Sequence, residues 1–194
     1  MLLAFVWLAL FFGLYVFFVH TSVGRGLDER LFNAVPRQHS IWFRLSGALL
    51  GGEVVLAVVG IAAVLVVGLR RRRFRRMVVG LATAAVSVVA GELFKRVLLS
   101  RPTAGAAEAV SNSFPSGHTV VATAVAVAVW FVAGERRRPV VVVIGGLLCV
   151  LVGAVTIVQQ WHRPSDVVSA YALVAACACA AGATLARWSG PRAS

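Results

Sequence analysis

Acidic residues are scarce in this chain: seven Asp and Glu stand against nineteen Lys and Arg in 194 residues, a formal net charge of +12. Charged residues of both signs make up only 13% of the sequence, about half the roughly 25% of a soluble domain, which excludes an ordinary water-facing surface. Lysine is nearly absent, with Lys95 the only one. The three cysteines, Cys149, Cys177 and Cys179, lie in apolar runs and form no C-x-x-C spacing, which excludes a disulfide framework and a thiolate metal site. No 20–50-residue repeat and no low-complexity segment is present. What fills the chain is hydrophobic: 60% of the residues, with a mean hydropathy of +0.89.

A membrane-spanning helix needs about 20 mostly apolar residues. Six runs qualify, at 2–19, 47–69, 77–99, 116–133, 140–159 and 165–186. The first lacks the basic flank and small-x-small cleavage site of a signal peptide and reads as a helix. The expected fold is an all-α, six-transmembrane helical bundle, one domain over 1–194. A strongly basic chain can signal a nucleic-acid partner. Here the arginines are blocked between apolar runs, so the partner is the membrane and not nucleic acid. RRRRFRR at 70–76, GERRRP at 134–139, and Arg187 with Arg192 mark alternate loops. The positive-inside rule places those loops, and both termini, in the cytoplasm. Segments 20–46, 100–115 and 160–164 then face outward, and DERLFNAV within the first reads as a helix lying on the bilayer surface. The arginine, alanine, valine and glycine bias suits a GC-rich bacterial genome, hence a bacterial plasma membrane.

The remaining polarity gathers on the outward side. His20, His39, His118 and His162 fall at or near outward helix ends, with Lys95, Arg96, Arg101, Arg163 and Asp166. Three stretches carry chemistry. In GELFKRVLLSRP (91–102), Lys95 and Arg101 form a basic cluster suited to phosphate, while Arg96 reads as an interfacial cation paired with Glu92 four residues earlier. In SNSFPSGHTVVATA (111–124), a turn runs straight into an apolar helix. The amides of Ser116, Gly117 and His118 are expected to be free there, making an anion site with His118 beside it as a proton donor. In QQWHRPSD (159–166), Pro164 suits a first helical turn. Asp166, four residues after His162, can hold one imidazole nitrogen and leave the other as a nucleophile. Glu53 and Glu92 are ionisable groups inside spans and so candidates for function. Gly47-x-x-x-Gly51 permits close helix approach, within the chain or between copies.

Together these motifs resemble the type 2 phosphatidic acid phosphatase (PAP2) superfamily, whose pattern is Lys-x6-Arg-Pro, then Pro-Ser-Gly-His, then Ser-Arg-x5-His-x3-Asp. Pro-Ser-Gly-His is complete at 115–118 and His-x3-Asp at 162–166, and the resemblance covers about residues 77–186. It implies a lipid phosphatase acting on a phosphate monoester or pyrophosphate, of polyprenyl or phosphatidate type, at the outer face. By the same resemblance His162 is the nucleophile, Asp166 its orienting group and His118 the acid. Lys95, Arg101, Ser116 and Gly117 cradle the phosphate, and no metal or other cofactor is needed. Two positions depart from the pattern. Five residues, not six, separate Lys95 from Arg101, so the turn before Pro102 is shortened or Lys95 reaches differently. The Ser-Arg pair is Val155-Thr156, so Thr156 offers a neutral donor where an arginine is expected, and Arg163 is the candidate substitute. Phosphotransfer to a second lipid, a catalytically weakened lipid-phosphate-binding protein, and a metal site built on His118, His162 and Asp166 are the alternatives.

Overall fold

The computed structural model describes residues 1–35, 52–100 and 113–188. Every regular element among them is helical. In chain order these are α1 (Leu2–Tyr15, continued by a π-turn over Val16–His20), α2 (Ser22–Asn33), α3 (Glu53–Arg70), α4 (Phe74–Leu93, continued by a π-turn over Phe94–Leu98), α5 (Gly117–Val132), a 3-10 turn (Glu135–Arg137), α6 (Arg138–Val158) and α7 (Pro164–Trp188).

Six apolar helices match the six runs of the sequence. Among the described residues, four are long and apolar enough to cross a bilayer: Leu2–His20, Phe74–Leu98, Glu135–Val158 and Pro164–Trp188. Val54–Arg70 and Gly117–Val132 are shorter. A 16-residue helix rises roughly 24 Å, against a hydrocarbon core of about 30 Å. α5 is short because both ends are cut by sequence: Ser116 is its N-cap, and Ala133 leaves the helix in extended backbone. α2 begins at Ser22, six residues before the DERLFNAV stretch. The expected helix start at 47–51, with Gly47 and Gly51, lies outside the described residues, as do His39, Arg101 and Pro102.

α5 is the central element and packs against α3, α4, α6 and α7, while α1 lies along α7. The main core joins Phe11 and Val19 of α1 to Phe114, to Val120 and Ala124 of α5, and to Ala170, Leu173 and Val174 of α7. Small residues let the backbones approach, as where Gly80 of α4 meets the Ala128 backbone of α5. The outer faces are apolar as well, with Leu2, Phe5, Val54, Val143 and Leu147 exposed. That is the surface expected of a multi-pass membrane protein, since lipid replaces water there.

Two local features set up the far ends of the helices. Thr21 caps α2, its Oγ1 accepting from Gly24 N at 3.0 Å and donating to Phe17 O at 2.7 Å. A Cβ at Gly24 would overlap the Phe17 carbonyl, so glycine is what lets α2 double back across the end of α1. At the other features, α3 and α6 both end in the same closed turn. Arg73 N reaches Gly68 O at 2.8 Å and Arg72 N reaches Leu69 O at 3.1 Å. Likewise Trp161 N reaches Thr156 O at 3.0 Å and Gln160 N reaches Ile157 O at 2.9 Å. These are Schellman turns, which need one residue in left-handed backbone. That residue is Arg72 (φ 50) in one and Gln160 (φ 57) in the other.

Candidate active site

The Schellman turn closing α6 delivers His162. Thr156 O accepts not only Trp161 N but also His162 N, at 3.3 Å, and α7 starts two residues later at Pro164. His162 is 7% exposed and Asp166 fully buried. Asp166 is the hub of the site. Its Oδ2 accepts from Ser113 Oγ at 2.7 Å and from Arg163 N at 2.9 Å, and lies 3.7 Å from His162 Nδ1. Its backbone carbonyl accepts from Ser116 N at 2.9 Å and from Ser169 Oγ at 2.9 Å. The first of these bonds ties the turn at 113–116 directly to the start of α7.

This corrects one expectation. The Ser116 amide is not free for an anion, because the Asp166 carbonyl takes it. The Ser116 hydroxyl oxygen accepts from Thr119 Oγ1 at 3.0 Å and from Thr119 N at 3.4 Å as the N-cap of α5. Gly117 is the open position. A Cβ there would stand 3.6 Å from Lys95 Nζ and 3.6 Å from Glu92 Oε1. The bare glycine therefore faces a lysine ammonium, at a helix start where backbone N–H groups and the helix dipole favour an anion.

Lys95 reaches this point from the π-turn that ends α4, closed by the i→i+5 bond from Leu99 N to Phe94 O at 2.9 Å. Lys95 lies within that π-turn, which holds one more residue than an α-turn. Arg96 points away and pairs with Glu92 at 2.6 Å, with 76% and 41% of their side chains exposed. An ion pair that exposed contributes little to stability.

His118, the second residue of α5, stands opposite His162 with ring centroids 6.1 Å apart. The gap is about twice a near-attack contact of ~3–3.5 Å, enough for a reacting centre between the two imidazoles. Trp161 lies against His118, centroids 5.4 Å apart, and is half exposed. Because Asp166 lies on the Nδ1 side of His162, Nε2 is the nitrogen left for chemistry. His162 Nδ1 is buried without a hydrogen-bond partner among the described residues. A shift of roughly 0.7 Å would bring it within bonding range of Asp166, and such contacts commonly tighten only once substrate is bound.

Lys95, Gly117, His118, His162 and Asp166 thus come together. Two expected phosphate ligands lie differently. Thr156 is fully buried, and its hydroxyl donates to Gly153 O at 2.8 Å. The Arg163 guanidinium sits 5.7 Å over the Phe32 ring of α2. Arg101 is outside the described residues, and of the Glu53 side chain nothing is described. No group of three or more His, Cys, Asp or Glu placed to hold a metal ion occurs among the described residues.

Two residues join the site without having stood out in the sequence. Ser113 holds the carboxylate of Asp166. Asp28 of α2, 1% exposed, accepts from Ser165 N at 3.1 Å and from Ser165 Oγ at 2.7 Å. It satisfies an N–H in the first turn of α7 and puts negative charge at the positive end of that helix. The only sequence signal for Asp28 was its rarity, as one of seven acids.

A family model for the PAP2 superfamily matches residues 92–190, just over half the chain and including Lys95, His118, His162 and Asp166. No curated protein matches the chain. Among solved structures it is similar to the first transmembrane PAP2 type phosphatidylglycerolphosphate phosphatase from Bacillus subtilis, with a TM-score of 0.73 over 96% of this chain and 98% of that one. Sequence identity is 20%, so the likeness is one of fold. The matched segment holds both complete motifs and the geometry that joins them, and the chain belongs to the PAP2 superfamily.

Proposed function

We propose that the protein is a membrane phosphatase that removes a terminal phosphate from a lipid monoester or diphosphate at the outer face of the bacterial plasma membrane. The observation that carries this reading is the opposition of His118 and His162 across 6.1 Å, with Asp166 behind one ring and Lys95 beside Gly117. In the first half-reaction, His162 Nε2 attacks phosphorus and the bond from phosphorus to the lipid oxygen breaks. His118 gives its proton to that leaving oxygen. In the second, His118 takes a proton from water, the water oxygen attacks phosphorus, and the bond to His162 breaks to release inorganic phosphate. Asp166 steadies the charge that His162 carries, as the third member of a nucleophile–base–orienter set. Lys95, the Gly117 amide and Arg101 are assigned to the non-bridging phosphate oxygens. Ser116 and Thr156 support that cradle through the turns they hold together, and Arg163 braces α7 against α2.

The same reading takes all six apolar helices as spans, the two short ones crossing where the bilayer thins around them. The arginine-rich loops and both termini then lie in the cytoplasm. Phosphatidate-type and polyprenyl lipids both present a terminal phosphate at headgroup depth, where His118 and His162 are assigned. The test is phosphate release from these lipids by purified protein and by His162→Ala. Release from at least one lipid by the wild type alone supports the assignment. Equal release by both would remove His162 as the nucleophile.

A further inference from the structure

The opposite end of the bundle carries a cavity that the phosphatase chemistry does not use. The loop after α3 and the turn before α6 meet there, and Arg71, Arg73, Arg76, Arg136 and Arg137 line a space of about 800 Å³ with a single acid, Glu135. Its inner wall is apolar and comes from the spans themselves, with Val67 of α3, Val129 of α5 and Val141 of α6. A volume of this size lies within the range of small-molecule sites, roughly 300–1,000 Å³.

The charges do not balance. Five guanidiniums face one carboxylate, and none of them forms an ion pair among the described residues. Arg73 is spent on structure: its Nη1 donates to Val132 O at 2.8 Å. A neighbouring cavity shares Arg73 and Arg76 and adds Arg72, Arg75 and Arg138. Of these, Arg138 lies 4.8 Å over Trp130 and Arg75 lies 5.7 Å over Trp188, so aromatic faces serve those two cations. Arg71, Arg76, Arg136 and Arg137 have no such partner among the described residues. The positive-inside rule accounts for arginines at this end, but not for their convergence on one cavity with an oily floor.

We propose that this cavity is a binding site for an anionic phospholipid, separate from the catalytic site. The guanidiniums take the headgroup phosphate, for which their planar forks are suited, and Val67, Val129 and Val141 receive the first part of the acyl chain. A free phosphate would have no use for the apolar wall. A cavity at the ends of the spans lies at headgroup depth, where basic pockets between membrane helices meet anionic lipid. The inference does not depend on the proposed phosphatase reaction.

The test uses the full chain in detergent with phosphatidylglycerol or phosphatidylcholine, retained lipid being counted by native mass spectrometry. Phosphatidylglycerol carries a phosphodiester and no terminal phosphate, which separates this site from a substrate. The wild type should retain phosphatidylglycerol preferentially. In Arg71→Gln/Arg136→Gln/Arg137→Gln that preference should fall on the order of 100-fold, while Lys95→Gln keeps it. If the triple variant does not fold, competition on the wild type decides. Displacement of the lipid by millimolar inorganic phosphate would make this a soluble-anion site and overturn the proposal, as would equal retention of phosphatidylcholine or an unchanged preference in the variant.

Discussion

The two ends of the helical bundle solve opposite problems with related parts. At one end Asp28, Ser113, Ser116, Ser165 and Asp166 are joined by hydrogen bonds of 2.7 to 3.1 Å beneath a nearly buried His162. At the other, arginines surround an open cavity with almost no acid. Both ends are reached through a Schellman turn with a long polar residue in left-handed backbone. The difference lies in what surrounds the turn. Chemistry at an imidazole needs dipoles already aimed before the reaction starts, so the His162 turn is tied down on every side. Reading a membrane surface needs only cations at headgroup depth, so the arginine turn is left open to its partner.

The largest effects should separate the two ends most sharply. His162→Ala should lower phosphate release from a lipid monoester by roughly 10⁴-fold or more, the scale of losing a covalent nucleophile. His118→Ala should lower it by about 10²–10⁴-fold, the contribution of a positioned acid–base group. Arg137→Ala, at the far end, should change it less than about twofold, as a surface substitution away from the chemistry does. Comparable losses at both ends would break the comparison.

Asp28 tests how far the tied end extends. Asp28→Ala leaves Ser165 N and Oγ without this acceptor at the start of α7, a change of about 1–3 kcal/mol for buried polar groups. Thermal stability should fall accordingly. Turnover should fall roughly tenfold with KM little changed, because the substitution loosens His162 and Asp166 without touching the phosphate cradle. Asp28→Asn keeps an acceptor oxygen and should recover most of both. Full turnover in a folded Asp28→Ala would leave α2 outside the catalytic end.

The sequence made some of this plain and hid the rest for definite reasons. Hydrophobic runs set six apolar helices within a few residues, because burial in lipid demands length and little else. His118, His162 and Asp166 stood out because imidazoles and carboxylates are costly in an oily chain. The length of α5 was less legible: a run of apolar letters does not show that Ser116 and Ala133 turn the backbone out of the helix. Nor does the letter at 116 show that the Asp166 carbonyl, fifty residues away, claims its amide. Asp28 reads in sequence only as one of the few acids, and only the fold-back at Gly24 carries it to Ser165. The arginine blocks stand out in sequence, but a cavity is a property of two loops meeting, which no single stretch encodes.

The smallest effect compares the two turns directly. A non-glycine residue in left-handed backbone costs about 1 kcal/mol, and glycine relieves that cost while adding freedom to the unfolded chain. Arg72→Gly should therefore raise thermal stability slightly and leave phosphate release unchanged, since Arg72 is exposed and far from His162. Gln160→Gly should stabilise more, because Gln160 Nε2 is buried without a partner among the described residues and its removal lifts that burden as well. Yet Gln160 sits two residues before His162 in the turn that aims it, and a glycine there lets the turn sample other directions. Phosphate release should then fall about two- to threefold even as stability rises. Thermal melts and turnover measured on the same samples check this. A gain in both at position 160 would show that the His162 turn needs no more rigidity than the arginine turn, and the two ends would differ only in their side chains.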